Sequence, residues 1–390
     1  MIARVFVLIV ILIVLPFLYI DLGMMRNRWR GRIMWRMAWW LPCIVMLAYT
    51  VWLSVLKSFA PLETWILFLY LLIIGLIFAP LTVFSICSAV GDFLARKGIV
   101  RRNRGRIAGV VLSVMVVFVV IYGSFFGTGG VKVRRVDYFS EHLPASFDGY
   151  RIALFSDAHV GSYIWGTTDH LRVVADSLNE QRADMIAFVG DLQNMHPDEL
   201  LPAMPILVKL EAKDGVFSVL GNHDNDKYLR SDSVTGRRNE RLTRNRQRQM
   251  GWRLLINENA VLTRHGESIF VVGMDNDDAD TYDANPEKAM TGVPRGAFSI
   301  MLEHNPTSWQ RTILPRTTAN LTLSGHTHGG QICVAGLSPA AIVYDEYDGM
   351  YLDDSGRALF VTTGIGGFVP FRLGMKPEVV VITLRKGVAK

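Results

Sequence analysis

Four uncharged apolar runs, Val5–Ile20, Met37–Leu56, Thr64–Val90 and Ile107–Phe126, crowd the first third of this 390-residue chain. A water-soluble fold has nowhere to bury such a series, whereas a membrane span needs about 20 apolar residues. The second and fourth runs fit that length. The third is long enough to tilt or to bend at Pro80. The first has sixteen residues between Arg4 and Asp21 and crosses if Arg4 reaches back to the interface. No small-residue cleavage site follows it, so it reads as an uncleaved helix rather than a secretory signal.

Charge divides the chain at the same place. Residues 1–127 hold thirteen Lys/Arg and three acidic residues, a net of +10; the remainder holds 28 and 32, a net of −4. The basic balance of the whole chain therefore belongs to membrane flanks, and long nucleic acid is disfavoured as a partner. Arg26, Arg28, Arg30, Arg32 and Arg36 follow the first run; Arg96, Lys97, Arg101, Arg102, Arg104 and Arg106 follow the third. Arginine-rich short loops stay in the cytoplasm. This predicts an integral protein of the cytoplasmic membrane, with 1–130 as the transmembrane region and 131–390 facing away from the cytoplasm. Lys132, Arg134 and Arg135 pull against that orientation. Three cysteines are too few for a disulfide framework.

The remaining stretch of about 250 residues is enough for one large core. Tyr150–Phe155, Asp184–Val189 and Val216–Leu220 read as buried strands, with helical spacing between them over Thr167–Arg182 and Leu200–Leu210. Further strands are predicted at Ile269–Val272, Ala297–Leu302, Asn320–Leu323, Ala358–Thr362 and Val379–Leu384. Strands alternating with helices indicate an α/β domain.

Polar clusters follow five of these strands: Ser156-Asp157-Ala158-His159, Gly190-Asp191, Gly221-Asn222-His223-Asp224, Glu303-His304-Asn305-Pro306 and Gly325-His326-Thr327-His328-Gly329-Gly330. Ligands bind beyond the carboxyl ends of strands in such sheets, so the five clusters are expected to converge. They contain five of the nine histidines. Asp, Asn and neutral His without thiolate suit Mn, Fe or Zn ions. Enough ligands are present for two divalent ions, a pairing that clamps the attacking and leaving oxygens of a phosphoryl displacement and acidifies water. Each cluster alone is weak; all five in order make a purely structural role a poor account.

The motifs SDAHVG, GD, GNHD, LEHNP and SGHTHGGQ, with the closing GIGGFVPFRLGMKPEVVVITL, resemble the calcineurin-like metallophosphoesterases, in particular a branch of membrane-anchored bacterial phosphoesterases. The resemblance implies a sandwich of two mixed sheets flanked by helices. It implies one metal on Asp157, His159, Asp191 and His328 and a second on Asp191, Asn222, His304 and His326. It gives His223 the substrate phosphate and the leaving oxygen, and Asp224 the task of holding the His223 ring. Two positions depart from the family's pattern: Ala158 stands where leucine is usual, and Asn194 stands where the purple acid phosphatases need tyrosine. That second departure disfavours the purple enzymes.

On the substrate side, Arg237, Arg241, Arg244 and Arg248 recur on one face of a predicted helix. They form either a solvated surface or a face for phosphates and anionic headgroups. The apolar stretch Phe368-Val369-Pro370-Phe371 with Leu373, near Tyr344, Tyr347 and Tyr351, would receive acyl chains, dip into the bilayer or pack in the core; Arg372 within it is a candidate phosphate contact. The expected function is hydrolysis of a phosphate ester or pyrophosphate of a lipid or cell-envelope compound. The alternatives are a UDP-2,3-diacylglucosamine pyrophosphatase on the cytoplasmic face and a nucleotide phosphodiesterase or nuclease. A non-enzymatic membrane sensor would predict missing ligands, and none is missing.

Overall fold

The computed structural model describes residues 2–26, 31–163, 168–278 and 284–388. Arg28 and Arg30 of the first arginine-rich loop, and Thr167 at the predicted start of a helix, lie outside the described residues. The chain divides into two compact units, Met1–Phe126 and Gly127–Lys390.

The first unit contains helices Ile2–Met25, Ile33–Ser54, Thr64–Arg96 and Gly105–Phe125, each long and apolar enough to cross a membrane. The third bears a wide turn at Ile74–Phe78, just before Pro80. Proline has no N–H to give the preceding turn, and the wider turn absorbs that defect. Small residues let the last two helices approach: a Cβ on Gly109 would lie 3.1 Å from Cys87 Cβ. Polar side chains gather where the helices join the arginine-rich loops. Tyr19 donates to Asp92 at 3.1 Å with its Oη 3.0 Å from the Ser88 hydroxyl, Asn103 donates to Asp92 at 2.6 Å, and Arg36 pairs with Asp21 at 2.6 Å.

The second unit is built on twelve strands among the described residues: β1 (Lys132–Ser140), β2 (Arg151–Phe155), β3 (Met185–Val189), β4 (Val216–Val219), β5 (Arg253–Leu254), β6 (Glu258–Arg264), β7 (Glu267–Gly273), β8 (Ser299–Leu302), β9 (Leu321–Ser324), β10 (Gly349–Leu352), β11 (Ala358–Val361) and β12 (Glu378–Lys386). They form two six-stranded sheets, ordered β1-β12-β2-β3-β4-β5 and β10-β11-β9-β8-β7-β6. Both are mixed. β12 runs antiparallel to β2, β10 to β11 and β6 to β7, and the other neighbours are parallel. This is the two-sheet α/β architecture expected from the motifs.

Alternation along each strand explains the layering. Ile152, Leu154, Ala187, Val189 and Val219 face inward and meet Val271, Ile300, Leu302, Leu323 and Phe360 of the other sheet. The intervening Ala153, Phe155, Ile186 and Phe188 face outward onto the helix Asp169–Glu180, which presents Leu171, Val174, Ala175 and Leu178. Trp309 and Ile313 cover the outer face of the second sheet.

All eight predicted strands are present, and all are interior. The four that were not predicted, β1, β5, β6 and β10, are the four sheet edges. The helix expected over Leu200–Leu210 is a 3-10 turn at Pro197–Leu200 and a short helix at Met204–Leu207, because Pro202 and Pro205 interrupt the hydrogen-bonding run.

Candidate metal centre

The five polar clusters meet where their strands end. The turns that carry them leave the ordinary backbone regions. Of the eleven non-glycine residues with positive φ among the described residues, five are Asp157, His159, Asp191, His326 and His328. Such conformations are uncommon and gather where function over-determines them. Gly190, at φ +90°, meets the same need: a Cβ there would lie 2.7 Å from His304 Nδ1.

Asp191 is the centre. Its Oδ2 lies 3.1 Å from His304 Nε2 and 3.5 Å from His159 Nε2, and its Oδ1 accepts the backbone N–H of His223 at 2.8 Å. Three groups of converging donor atoms surround it: Asp157, His159 and His328; His159, Asp191 and His223; and Asp191, His304 and His326. Asn222 Oδ1 faces His326 Nδ1 at 2.9 Å, oriented by its amide donating to Tyr228 Oη at 2.6 Å. All seven expected ligands are thus brought together, with His223 at their edge.

The rings are set for cations. His304 Nδ1–H donates to Val189 O at 2.7 Å, and His159 Nδ1–H to Asn194 Oδ1 at 3.1 Å. With Nδ1 so committed, Nε2 of each ring is turned toward Asp191, the nitrogen through which metal-binding histidines of this orientation bind once it is unprotonated. His159 Nε2 and His328 Nδ1 are buried without a hydrogen-bond partner. An unmet buried nitrogen costs about 1–3 kcal/mol, which a bound cation would offset. Burial holds His159 well below the usual imidazole range and lowers His328; burial and the neighbouring His304 bring His326 to about 4. Burial also opposes charge on His304, but the facing Asp191 raises it to about 10. Burial would push the Asp191 carboxyl up; His304 and His223 outweigh it and hold the carboxyl well below the usual range. One excess proton thus stands where a divalent ion would do the same work. The donor set fits a pair of cations.

A model of the calcineurin-like phosphoesterase family matches residues 150–330. The uncharacterized metallophosphoesterase YkuE of Bacillus subtilis is 32% identical over 262 residues, which cover 63% of this chain and 82% of that protein. The chain belongs to the calcineurin-like phosphoesterases. A transmembrane protein with metallophosphoesterase domain from Danio rerio is 28% identical over 347 residues, covering 86% of this chain and 74% of that one. The UDP-2,3-diacylglucosamine pyrophosphatase LpxG of Chlamydia trachomatis is 25% identical over 300 residues, 64% of this chain and 88% of that protein. This calcineurin-like phosphoesterase is therefore a membrane-associated, metal-dependent phosphoester hydrolase of a family that uses a dinuclear metal site.

Two expected site residues do other work. Asp224 does not hold the His223 ring. Its carboxylate accepts four backbone N–H groups, from Asp191 at 2.9 Å, Leu192 at 2.9 Å, Gln193 at 3.2 Å and Gly221 at 2.9 Å. It clamps two of the ligand-bearing loops together, and burial with the Asp191 charge raises it to about 7. The His223 ring is held by the Asn194 carbonyl, which accepts Nδ1–H at 2.5 Å. Asp224→Asn leaves one oxygen where four donors converge and turns an NH2 toward them. The expected cost is about 3 kcal/mol, read as a lowered Tm together with lost turnover. Lost turnover at an unchanged Tm would return the carboxylate to the His223 ring.

Arg372 is not a phosphate contact. It is buried, and its guanidinium donates to the carbonyls of Thr363 at 2.8 Å, Gly364 at 3.1 Å and Gly366 at 2.6 Å. Arg372 thereby fixes the loop whose Gly366 N–H caps Asp157 O at 2.8 Å. Arg237, Arg241 and Arg248 are exposed on the helix Ser233–Gln249 and Arg244 is half-buried, while Asn239, Thr243 and Gln247 face inward.

Asn194 and Glu199 were not singled out by their chemistry in the sequence. Asn194 holds His159 through its side chain and His223 through its carbonyl. Glu199 accepts the N–H groups of Asn194, Met195 and His196, fixing that loop in turn. The spacing of Glu199 three residues after His196 is a helix-start pattern and was the available signal.

Proposed function

We propose that this enzyme hydrolyses a phosphate ester or pyrophosphate of a lipid or cell-envelope compound, on the extracytoplasmic side of the membrane. The observation that carries the reading is Asp191 set among converging groups of imidazole and carboxylate donors in a chain with four membrane-length helices. One cation is assigned to Asp157, His159, Asp191 and His328, the other to Asp191, Asn222, His304 and His326. When bound, such ions polarise the phosphoryl oxygens and acidify water. The chain's own part is to orient and to move a proton. His223, anchored at Nδ1 and stacked on Tyr228 at 4.1 Å, presents Nε2 to the phosphoryl group and, when doubly protonated, protonates the leaving oxygen.

The arginine face of the helix Ser233–Gln249 is assigned to anionic headgroups. Changing Arg237, Arg241, Arg244 and Arg248 together to Gln should raise KM on lipid phosphates about tenfold and leave a small chromogenic ester within about twofold. Equal effects on both would remove the assignment.

A second reading, pyrophosphate cleavage of UDP-2,3-diacylglucosamine on the cytoplasmic face, is favoured by the activity of the chlamydial relative. Turnover by the full-length, metal-reconstituted protein on a panel of lipid phosphates, UDP-2,3-diacylglucosamine, nucleotides and chromogenic esters tests both. Hydrolysis of nucleotides alone would end both. A C-terminal reporter active only outside the cytoplasm supports the first reading; one active only inside supports the second.

A further inference from the structure

Beyond the metal ligands, the loop 331–343 presents a surface that the hydrolytic reading does not use. Ile342, Leu337 and Val343 are 87%, 78% and 72% exposed, the three most exposed large apolar side chains of the second unit among the described residues. Val334, also exposed, stands beside them. The loop is firmly built. Val334 and Leu337 exchange both backbone hydrogen bonds at 3.0 Å across a tight turn whose central residues, Ala335 and Gly336, both have positive φ. Ser338 Oγ donates to Gly329 O at 2.7 Å, tying the loop to the His-Gly-Gly motif. Cys333 N–H donates to Leu373 O at 2.7 Å, and Leu373 N–H to Gln331 O at 2.9 Å, joining it to the half-buried Phe368–Leu373 segment.

The inner edge of this double loop is the metal centre. The Phe368 ring lies 5.4 Å from that of His223, and Tyr344 Oη lies 3.3 Å from His326 Nε2. An apolar shelf thus begins at the two site histidines and ends in water.

We propose that this shelf, tipped by Val334, Leu337, Ile342 and Val343, inserts into the interfacial layer of the lipid bilayer and seats the metal centre at the lipid surface. The occupant follows from three observations. No charged residue occurs from Gln331 to Val343, and the first beyond it is the exposed Asp345, so the tips themselves are apolar and uncharged. It is a narrow turn with four aliphatic tips, which suits a deformable hydrocarbon boundary; a stable protein interface buries about 800 Å² on each side. Only residues 126–131 separate the last membrane-length helix from β1, so the second unit is tethered by a short connection to the segment that would cross a bilayer, and a bilayer is the apolar phase that the chain's own architecture brings with it. The proposal rests on membrane attachment and not on the substrate class.

The test uses the full-length protein in phosphatidylethanolamine/phosphatidylglycerol nanodiscs. With Cys43, Cys87 and Cys333 changed to Ser, Ile342→Cys carries a bimane label, and Ser355→Cys, in the turn before β11 at the strand end away from the site, carries the same label as the reference. Headgroup-proximal doxyl lipids should quench the Ile342 label at least about threefold more than the Ser355 label. Should the substituted protein fail to fold, wild-type protein is irradiated in nanodiscs containing diazirine lipid, and lipid adducts are expected within 331–343. Equal quenching at the two positions, or no adduct in 331–343, overturns the proposal. So does a label already shielded in detergent in proportion to protein concentration, which would assign the loop to a second copy of the chain. None of these readouts requires turnover, so failure on every lipid phosphate would leave this result standing.

Discussion

Asp191→Asn is expected to abolish the paired retention of cations and to lower kcat/KM on any phosphate ester by about 10³-fold or more. One carboxylate oxygen faces His304 and His159 at 3.1 and 3.5 Å, and the other receives the backbone N–H of His223 at 2.8 Å. Asparagine preserves the shape but removes the negative charge shared by both ligand groups and presents an NH2 where a lone pair is needed. Metal analysis after gel filtration, beside turnover, reads the result: two equivalents in the parent and at most one in the variant. Proton release supplies a second readout. Asp191 raises His304 to about 10, so in the stripped protein that imidazole is charged below that pH and must lose its proton before it binds a cation. Cation binding should therefore release protons and strengthen as pH rises toward 10, and Asp191→Asn should remove most of that dependence. Two retained equivalents with parental turnover would show that Asp191 is not shared.

The ligands were legible in the sequence because chemistry and topology coincided. Each cluster follows an interior strand, and interior strands such as Met185–Val189 are buried on both faces and read as unbroken apolar runs. The edges carry no such signature. Lys132–Ser140 pairs only with β12 and reads as charged, and Gly349–Leu352 is short and half-exposed. The misreadings at the site share a cause. Asp224 is adjacent to His223 in sequence, yet its carboxylate turns toward Asp191–Gln193, about thirty residues earlier, because unpaired backbone N–H groups at the tight turn need an acceptor. Arg372 resembled a phosphate ligand in composition, but buried carbonyls compete for it first. Spacing along the chain shows which groups can bind a metal. It does not show which backbone groups lack a partner until the loops are folded, and those orphan groups assign Asp224, Arg372, Asn194 and Glu199 their roles.

His223→Ala should separate proton delivery from metal binding. The backbone N–H of residue 223 that donates to Asp191 survives the substitution, so the ligand frame and both cations should remain. What disappears is an imidazole held at Nδ1 by the Asn194 carbonyl, stacked 15° from parallel on Tyr228 and set 4.8 Å from the His159 ring. A positioned acid contributes about 10²–10⁴-fold when the leaving oxygen needs a proton. The loss should therefore be about 10³-fold on an alkyl phosphate ester and about tenfold or less on a nitrophenyl ester, whose oxygen departs as a stable anion. A plot of log kcat against leaving-group pKa should be steeper in the variant than in the parent. The same variant decides a point of geometry. His223 shares a converging donor group with His159 and Asp191, so it is placed to serve as a ligand as well. If it were one, the variant would lose a cation and both esters would suffer alike. Retained metal with a steepened leaving-group dependence assigns the ring to the substrate, where its fixed Nδ1 and stacked plane already aim it.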